Sequence, residues 1–138
     1  MAKFVIRNPR IEVSGIDFSD HVSSVEVNLS KDSVDTTNFS GSGREATHGL
    51  KSEKITVTFQ QDFAASSVDA TLWPLYNNET EFTVKVRPTG SSISATNPEY
   101  VASCILLEYS PLSGKAGDLS DTSVTFPVQR GTLARNTS

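Results

Sequence analysis

Three side chains in this sequence are of the types that most often carry catalytic or metal chemistry: His21, His48 and Cys104. Neither histidine has a second histidine, a cysteine or a pair of carboxylates at the spacing of a metal-binding motif. Cys104 lies in an apolar run, without the histidine and the electropositive surroundings that activate a catalytic thiol. The sequence therefore predicts no metal and no cofactor, and it predicts that Cys104 is a small side chain of the core.

Other candidate motifs are also incomplete. Residues 41–44 read Gly-Ser-Gly-Arg, but they lack the Lys-Ser/Thr that follows in a phosphate-binding loop, and they are typical of a hinge. The pairs Asp32/Asp35 and Asp118/Asp121 have the spacing of turn-capping residues. There is no Gly-x-Ser-x-Gly motif that would expose a nucleophilic serine. These patterns favour a binding or structural protein over an enzyme.

Length and charge narrow the class further. A chain of 138 residues with 36% hydrophobic residues is the size of one globular domain, residues 1–138. Its 12 basic and 16 acidic residues give a net charge of -4, and the basic ones form no stripe. Tight nucleic-acid binding is not expected, although a mildly acidic surface suits a protein that contacts DNA without holding it. No apolar run resembles a signal peptide or a membrane span, so we expect no membrane partner and a soluble, reducing compartment.

Period-two alternation of apolar and polar residues is the main structural signal. It is typical of strands in an antiparallel sheet with one buried face. The clearest predicted strands are residues 25–29, 55–60 and 82–87. Further strands are predicted at 11–13, 16–18, 100–109 and 124–128, with 100–109 covered on both faces and Pro127 ending an edge strand.

One segment has helical spacing instead. Ser66 and Asp69 form a capping-box-like start, which predicts a short helix over residues 67–77 that Pro74 kinks or shortens. An apolar stripe with Leu75 runs along this helix. The predicted core or subunit-contact anchors on it are Val68, Leu72, Trp73 and Tyr76.

The segments without periodicity are predicted to serve assembly. Residues 30–52 are polar and lie between two good strands, and a structureless loop of that length in a compact domain is usually functional. Glycines give it flexible joints, so it should reach outward or fold against a partner. Residues 1–10 are predicted to form an N-terminal arm, and residues 129–138 a mobile C-terminal arm without a periodic element.

The order of these elements resembles a known family. Residues 34–44 read Val-Asp-Thr-Thr-Asn-Phe-Ser-Gly-Ser-Gly-Arg, and they lead through Gly-Leu-Lys-Ser at 49–52 into the strand at 55–59. Gly-Asp at 117–118, followed by the alternation at 123–128, is similar to the family's final strand. The sequence resembles the major tail tube proteins of long-tailed, siphovirus-like bacteriophages from about residue 11 to residue 128.

The resemblance implies a mainly β fold, an antiparallel sandwich or partly open barrel with one short flanking helix. It implies a structural virion protein that forms stacked hexameric rings around a channel for genome DNA. The implied partners are other copies of the chain, tail terminator and tail-tip proteins, and a tape measure protein in the lumen. The implied location is the virion tail, after assembly in the cytoplasm of the host bacterium.

The resemblance also assigns candidate site residues. The long loop would join one ring to the next through Val34, Thr36, Thr37, Asn38, Phe39, Arg44, His48 and Leu50. The polar faces of the flanking strands would line the lumen through Glu26, Asn28, Thr56, Thr58 and Gln60. An uncharged or acidic wall lets phosphates pass without capture.

Two alternatives remain open from the sequence. The chain could be another virion part, namely a tail terminator, a tail-end ring protein or a head decoration protein. It could also be a carbohydrate- or protein-binding β-sandwich module, in which Trp73, Tyr76 and Tyr100 would be the stacking side chains.

Overall fold

The computed structural model describes residues 3–138, and most of the regular structure in that range is β-strand. The strands are β1 (Arg10–Val13), β2 (Ile16–Asp17), β3 (Val22–Asn28), β4 (Lys31–Asp35), β5 (Ala46–Lys51), β6 (Lys54–Gln60), β7 (Phe82–Arg87), β8 (Glu99–Cys104), β9 (Asp121–Pro127) and β10 (Ala134–Asn136). One α-helix, α1 (Val68–Asn77), and one 3-10 turn (Ser19–His21) complete the elements of this range. The mainly β class predicted from the alternation is confirmed.

The strands form two main sheets and a separate hairpin, with every neighbouring pair antiparallel. The five-stranded sheet has the order β10-β8-β7-β1-β2, and the three-stranded sheet has the order β3-β6-β9. Strands β4 and β5 pair only with each other in the described part of the chain. Two sheets of this kind need a common apolar layer between them.

That layer is built from the alternate residues of both sheets. Val84 and Ala102 of the larger sheet and Val57 and Phe126 of the smaller one belong to one buried cluster. The rings of Phe82 and Phe126 meet edge to face with centroids 5.4 Å apart and join the two sheets. Burying one side chain of this size contributes roughly 1.5–3 kcal/mol, so the cluster is the main source of stability.

The two sheets also meet through their backbones at one corner. The Gln129 amide donates to the Ser103 carbonyl at 2.8 Å, and the Ile105 amide donates to the Pro127 carbonyl at 3.3 Å. Strand β9 ends at Pro127, and in the described residues it pairs only with β6, as expected of a proline-terminated edge strand. The sandwich is therefore a partly open barrel that is closed at this corner.

Helix α1 covers one end of the core. Val68 and Leu72 are fully buried, and the helix continues through Pro74 to its last residue. The predicted cap by Ser66 is wrong: the Asp69 amide donates to the Asp62 carbonyl at 3.1 Å, and Ser66 has a φ of 60°. The turn before the helix is organised by Asp62 instead. In residues 3–138 no helix has the length and apolarity needed to cross a membrane.

Most predicted strands are confirmed, with two differences at strand ends. Leu29 lies beyond β3 and is exposed, and β8 stops at Cys104 instead of reaching residue 109. The chain leaves β8 because Ile105 bonds across the corner to β9. Leu107 is exposed, so the second half of the predicted strand is not covered on both faces.

The long loop predicted at residues 30–52 is not structureless. Strands β4 and β5 make it a β-hairpin, here called the arm, whose base closes by a 2.8 Å hydrogen bond from the Ser52 amide to the Ser30 carbonyl. Both faces of the arm are exposed. Its strands show no apolar alternation because neither face meets the core, and the period-two signal depends on burial.

The chain ends also differ in part from expectation. The prediction that residues 129–138 hold no periodic element is wrong, because β10 pairs with the outer edge of β8 through Ala134↔Val101 and Arg135↔Tyr100. A strand that is held on an open sheet edge by backbone hydrogen bonds does not have to bury one face, so its sequence need not alternate between apolar and polar residues. At the other end, residues 3–9 form no helix or strand, and residues 1 and 2 of the predicted N-terminal arm lie outside the described residues.

Candidate assembly surfaces

The arm is held in shape by local contacts. Asp35 pairs with Ala46 and Val34 with Thr47 across the two strands. A side chain at Gly49 would place its Cβ 3.0 Å from Asp32 Cβ and 3.0 Å from Val34 Cγ2, closer than carbon atoms normally approach. Glycine at this position therefore lets the two strands pack closely.

The tip of the arm is tied by side-chain hydrogen bonds. The Thr37 amide donates to Asp35 Oδ1 at 2.8 Å, and the Glu45 amide donates to Thr37 Oγ1 at 2.8 Å. The Thr37 hydrogen bonds lower the pKa of Asp35 below its usual value. Phe39 lies at this tip and is completely exposed. The arm thus presents an aromatic side chain on an ordered but unburied support.

All predicted inter-ring residues lie on the arm or its tip. The apolar ones are exposed: Val34 by 46%, Leu50 by 77% and Phe39 in full. The polar ones are exposed as well: Thr36, Thr37, Asn38, Arg44 and His48. Exposed apolar side chains on a projecting hairpin form a surface that a partner can cover.

The predicted lumen residues come together on the outer face of the three-stranded sheet. Glu26 pairs with Thr56, and Thr56 pairs in turn with Thr125, so three strands contribute to one polar row. The hydroxyl oxygens of Thr56 and Thr125 are 3.4 Å apart, and Asn28 Nδ2 donates to Glu26 Oε1 at 3.4 Å. We call this surface the polar face.

Strand β9 is the third strand of the polar face, and its residues were not among those that the sequence assigned to the lumen. Ser123 lies opposite Thr58, and Asp121 lies opposite Gln60. The alternation of residues 121–127 is as regular as that of β6 and was a sufficient signal for which residues share a face. The sequence did not predict that β9 pairs with β6, so the two strands were not assigned to one surface. Hydroxyl side chains are the commonest on the resulting surface, and its charged side chains are Glu26, Lys54 and Asp121.

The predicted anchors on α1 divide between two faces. Val68 and Leu72 are core residues, whereas Trp73 and Tyr76 are 49% and 42% exposed. The rings of Trp73 and Tyr76 lie 6.2 Å apart, centroid to centroid. In a single chain they form an uncovered aromatic pair, and Tyr76 lines a cleft together with the exposed Leu107.

A polar cluster fixes the start of α1 and was missed by the sequence. His21 Nε2 lies 3.0 Å from Asp62 Oδ2, and His21 Nδ1 lies 2.9 Å from Asp20 Oδ1. Ser67 Oγ donates to Asp62 Oδ2 at 2.8 Å. The hydrogen bond with Asp20, followed by the one with Asp62, raises the pKa of His21. The Ala64 amide, Ser67 and His21 lower the pKa of Asp62. His21 and Asp62 are too far apart in sequence for any spacing rule to pair them.

Neither of the remaining reactive groups has a catalytic setting. Burial raises the pKa of the Cys104 thiol to about 12, so the nucleophilic thiolate is scarce. Tyr109 donates to Asp69 Oδ1 at 2.8 Å and accepts from Gln61 Nε2 at 3.1 Å, and burial is the main cause of its raised pKa of about 12. Within residues 3–138, no three His, Cys, Asp or Glu side chains are grouped to hold a metal ion.

Comparison with known proteins gives a structural match without a sequence match. No protein-family model matches the chain, and no curated protein matches it. A chain in the virion of a native gene transfer agent particle matches with a TM-score of 0.74 at 11% identity, over 94% of this chain and 95% of that chain. A chain in a structure of the SPP1 tail tube matches with a TM-score of 0.75 at 10% identity, over 99% of this chain and 80% of that chain.

The chain shares its fold with these proteins. A third match has a TM-score of 0.74 at 13% identity, and comes from a structure of the sheath/tube terminator of an extracellular contractile injection system. It covers 99% of this chain and 98% of that chain. The tail-tube resemblance found in the sequence is thus confirmed at the level of the fold.

Proposed function

We propose that this protein is the tail tube subunit of a phage-like particle. Copies would associate into hexameric rings that stack into a tube for the passage of genome DNA. The observation that carries the proposal is the match to tail and virion chains over at least 94% of the sequence. The exposed arm also argues against an isolated binding module. A sandwich that only binds a ligand in a pocket would have no use for a hairpin whose faces are both exposed.

The arm supports the stacking role. It exposes Val34, Phe39 and Leu50 without a core beneath them, and an apolar surface of this kind is stable in solution only if it is small or becomes covered. A neighbouring ring would supply that cover. Arg44 and His48 on the same arm would add polar contacts at its rim.

The polar face supports the channel role. Its hydroxyl-rich surface offers DNA phosphates few cations, so it would not form the many ion pairs that hold DNA in a binding protein. Glu26 and Asp121 would repel phosphates weakly, and Lys54 is the one cation among the paired residues of this face, so DNA would pass without being held. In the described sheet, the outer edge of β3 and that of β9 before Pro127 would pair with other copies, which removes exposed edges.

The proposed role requires no catalysis and no cofactor. The proposed partners are further copies of the chain, terminator and tip proteins at the tube ends, and a tape measure protein in the lumen. Assembly would take place in the host bacterial cytoplasm, and the product would be part of the virion tail.

The proposal is tested by imaging purified protein by negative-stain electron microscopy over a range of concentrations. Stacked rings with a central hole are expected. Monomers at every concentration, with an arm that proteases cut readily, would refute the tube role.

A terminator ring is the second candidate, because the match to the sheath/tube terminator structure has a TM-score of 0.74, close to that of the tail tube match. Single rings that never stack would favour it. Binding of a glycan that is lost in a Trp73→Ala variant would instead favour the carbohydrate-binding alternative.

A further inference from the structure

The N-terminal segment of the described chain lies against the edge of the polar sheet. Ile6 and Pro9 form one wall of a cleft whose other wall is β3, at residues 22–25. Phe4 and Ile6 line a second, apolar cleft with Val25 and Val27, farther along the same strand. The five-stranded sheet contributes the rest of this cleft, through Val86, Arg87, Pro88 and Tyr100. Residues 4–9 thus accompany β3 over most of its length.

The segment lies on the side of β3 that is away from β6. Residues of β3 line both clefts, and no residue of β6 lines either of them. In the described sheet this is the open edge, because β3 pairs only with β6 on its other side. The unpaired amides and carbonyls of that edge are where another strand would add.

The segment occupies the edge without pairing with it. Among residues 3–138, no backbone hydrogen bond joins residues 3–9 to β3, and Pro9 has no amide hydrogen to donate. Phe4 and Ile6 remain 59% and 60% exposed, so only part of each side chain rests on the strand. Apolar contact of this partial kind is easily exchanged for a hydrogen-bonded strand.

From this placement, we infer that residues 4–9 are a displaceable strap that covers the β3 edge of the free chain and delays its pairing with a second copy. The occupant that replaces the strap is strand β9 of another copy. Strand β9 lies at the opposite side of the same three-stranded sheet, and in the described residues only its Pro127 carbonyl is bonded on the outer edge, to the Ile105 amide. Joining the rest of that edge to β3 of another copy continues the sheet from copy to copy. The inference rests on the proposed function, because residues 4–9 would control the pairing of the β3 edge that ring assembly uses.

The strap is tested by removing it from the full chain. A variant that lacks residues 2–8 is expected to reach half-maximal ring assembly at a protein concentration lower by roughly tenfold, which corresponds to about 1.4 kcal/mol. The double variant Phe4→Ser/Ile6→Ser should have a similar effect. The matched control is Val5→Ser: Val5 is 64% exposed but lines neither cleft, so its variant should assemble like the wild type.

Assembly is measured by sedimentation and by electron microscopy, which separates rings from amorphous aggregates. An unchanged or raised assembly concentration after truncation would overturn the inference, as would amorphous aggregation in place of rings. If wild-type rings form under those conditions, the proposed function stands although the strap does not. If neither chain forms rings, both proposals fail.

Discussion

Replacing residues 30–52 by an Asn-Gly turn should leave a folded chain that no longer stacks. The Ser30 and Ser52 backbones are hydrogen-bonded at 2.8 Å, and Asn28 pairs with Lys54 just below them, so β3 and β6 can be joined there by a short hairpin connection. The deletion removes the whole arm and leaves the pairing of the main sheets unchanged.

The expected stability change follows from burial. Every residue of the arm is exposed except Gly49, which is partly covered, so the deletion removes almost no buried apolar area. Shortening the connection about sixfold lowers the entropy cost of loop closure by roughly 1.5 kcal/mol. The free energy of unfolding should therefore stay within about 2 kcal/mol of the wild-type value, on the stabilised side.

Urea unfolding monitored by circular dichroism measures this change, and electron microscopy measures stacking. The graded control is Gly49→Ala, which keeps the length of the arm but forces its two strands apart at the 3.0 Å approach to Asp32 and Val34. It should weaken stacking without abolishing the fold. A deletion variant that loses more than about 3 kcal/mol would show that the arm supports the core. One that still forms tubes would refute the clamp role.

The remaining predictions concern the buried face of α1, its exposed face, and the contact between His21 and Asp62 at its start. Leu72→Ala should lower the free energy of unfolding by roughly 2–5 kcal/mol, because Leu72 is fully buried, and a change below about 1 kcal/mol in chemical denaturation would contradict its core position. Trp73→Ala should cost the monomer less than about 1 kcal/mol yet weaken ring assembly, because its ring is half exposed, and normal assembly would exclude it from the subunit contact. The His21 contact should stabilise the fold fully below the unfolded pKa of 6.5 and lose its effect as pH rises through the higher folded value. The contribution of its partner Asp62 is complete above the ordinary pKa of 3.8 and is lost as the pH falls through the lower folded value. The stability difference between wild type and His21→Gln should thus be larger at about pH 5.5 than at about pH 8.5, and equal differences in urea unfolding would refute the contact.

The loop beyond β7 is stabilised by a buried ion pair. Arg87 donates to Glu99 Oε2 at 2.6 Å and to the Ser91 carbonyl at 2.8 Å, and Asn97 Nδ2 donates to the same carbonyl at 2.9 Å. Charges this well covered are stable only when their hydrogen bonds are complete, so the pair fixes the shape of residues 88–98. The loop is therefore part of the rigid body of the sandwich and not a second arm.

Local pattern was sufficient for the elements that border the core. Alternation located β6 and β7, and helical spacing located α1, because each of these elements has one buried and one exposed face. The exposure of Trp73 was not readable from that spacing, since it depends on which side of the helix meets the sheets. The arm and β10 were missed because both are stabilised by backbone pairing without burial, which leaves no periodic trace in the side chains.

The sequence by itself determined a mainly β chain with one helix, no assembled catalytic motif and a long polar segment between two strands. Only the tertiary structure decided that this segment is a hairpin, that β9 completes the polar face, and that His21 meets Asp62. The physical reason is that periodicity records whether a side chain is buried, whereas strand order and contacts between distant residues depend on how the sheets pair and pack. The same holds for residues 4–9, whose position beside the β3 edge no local pattern specifies.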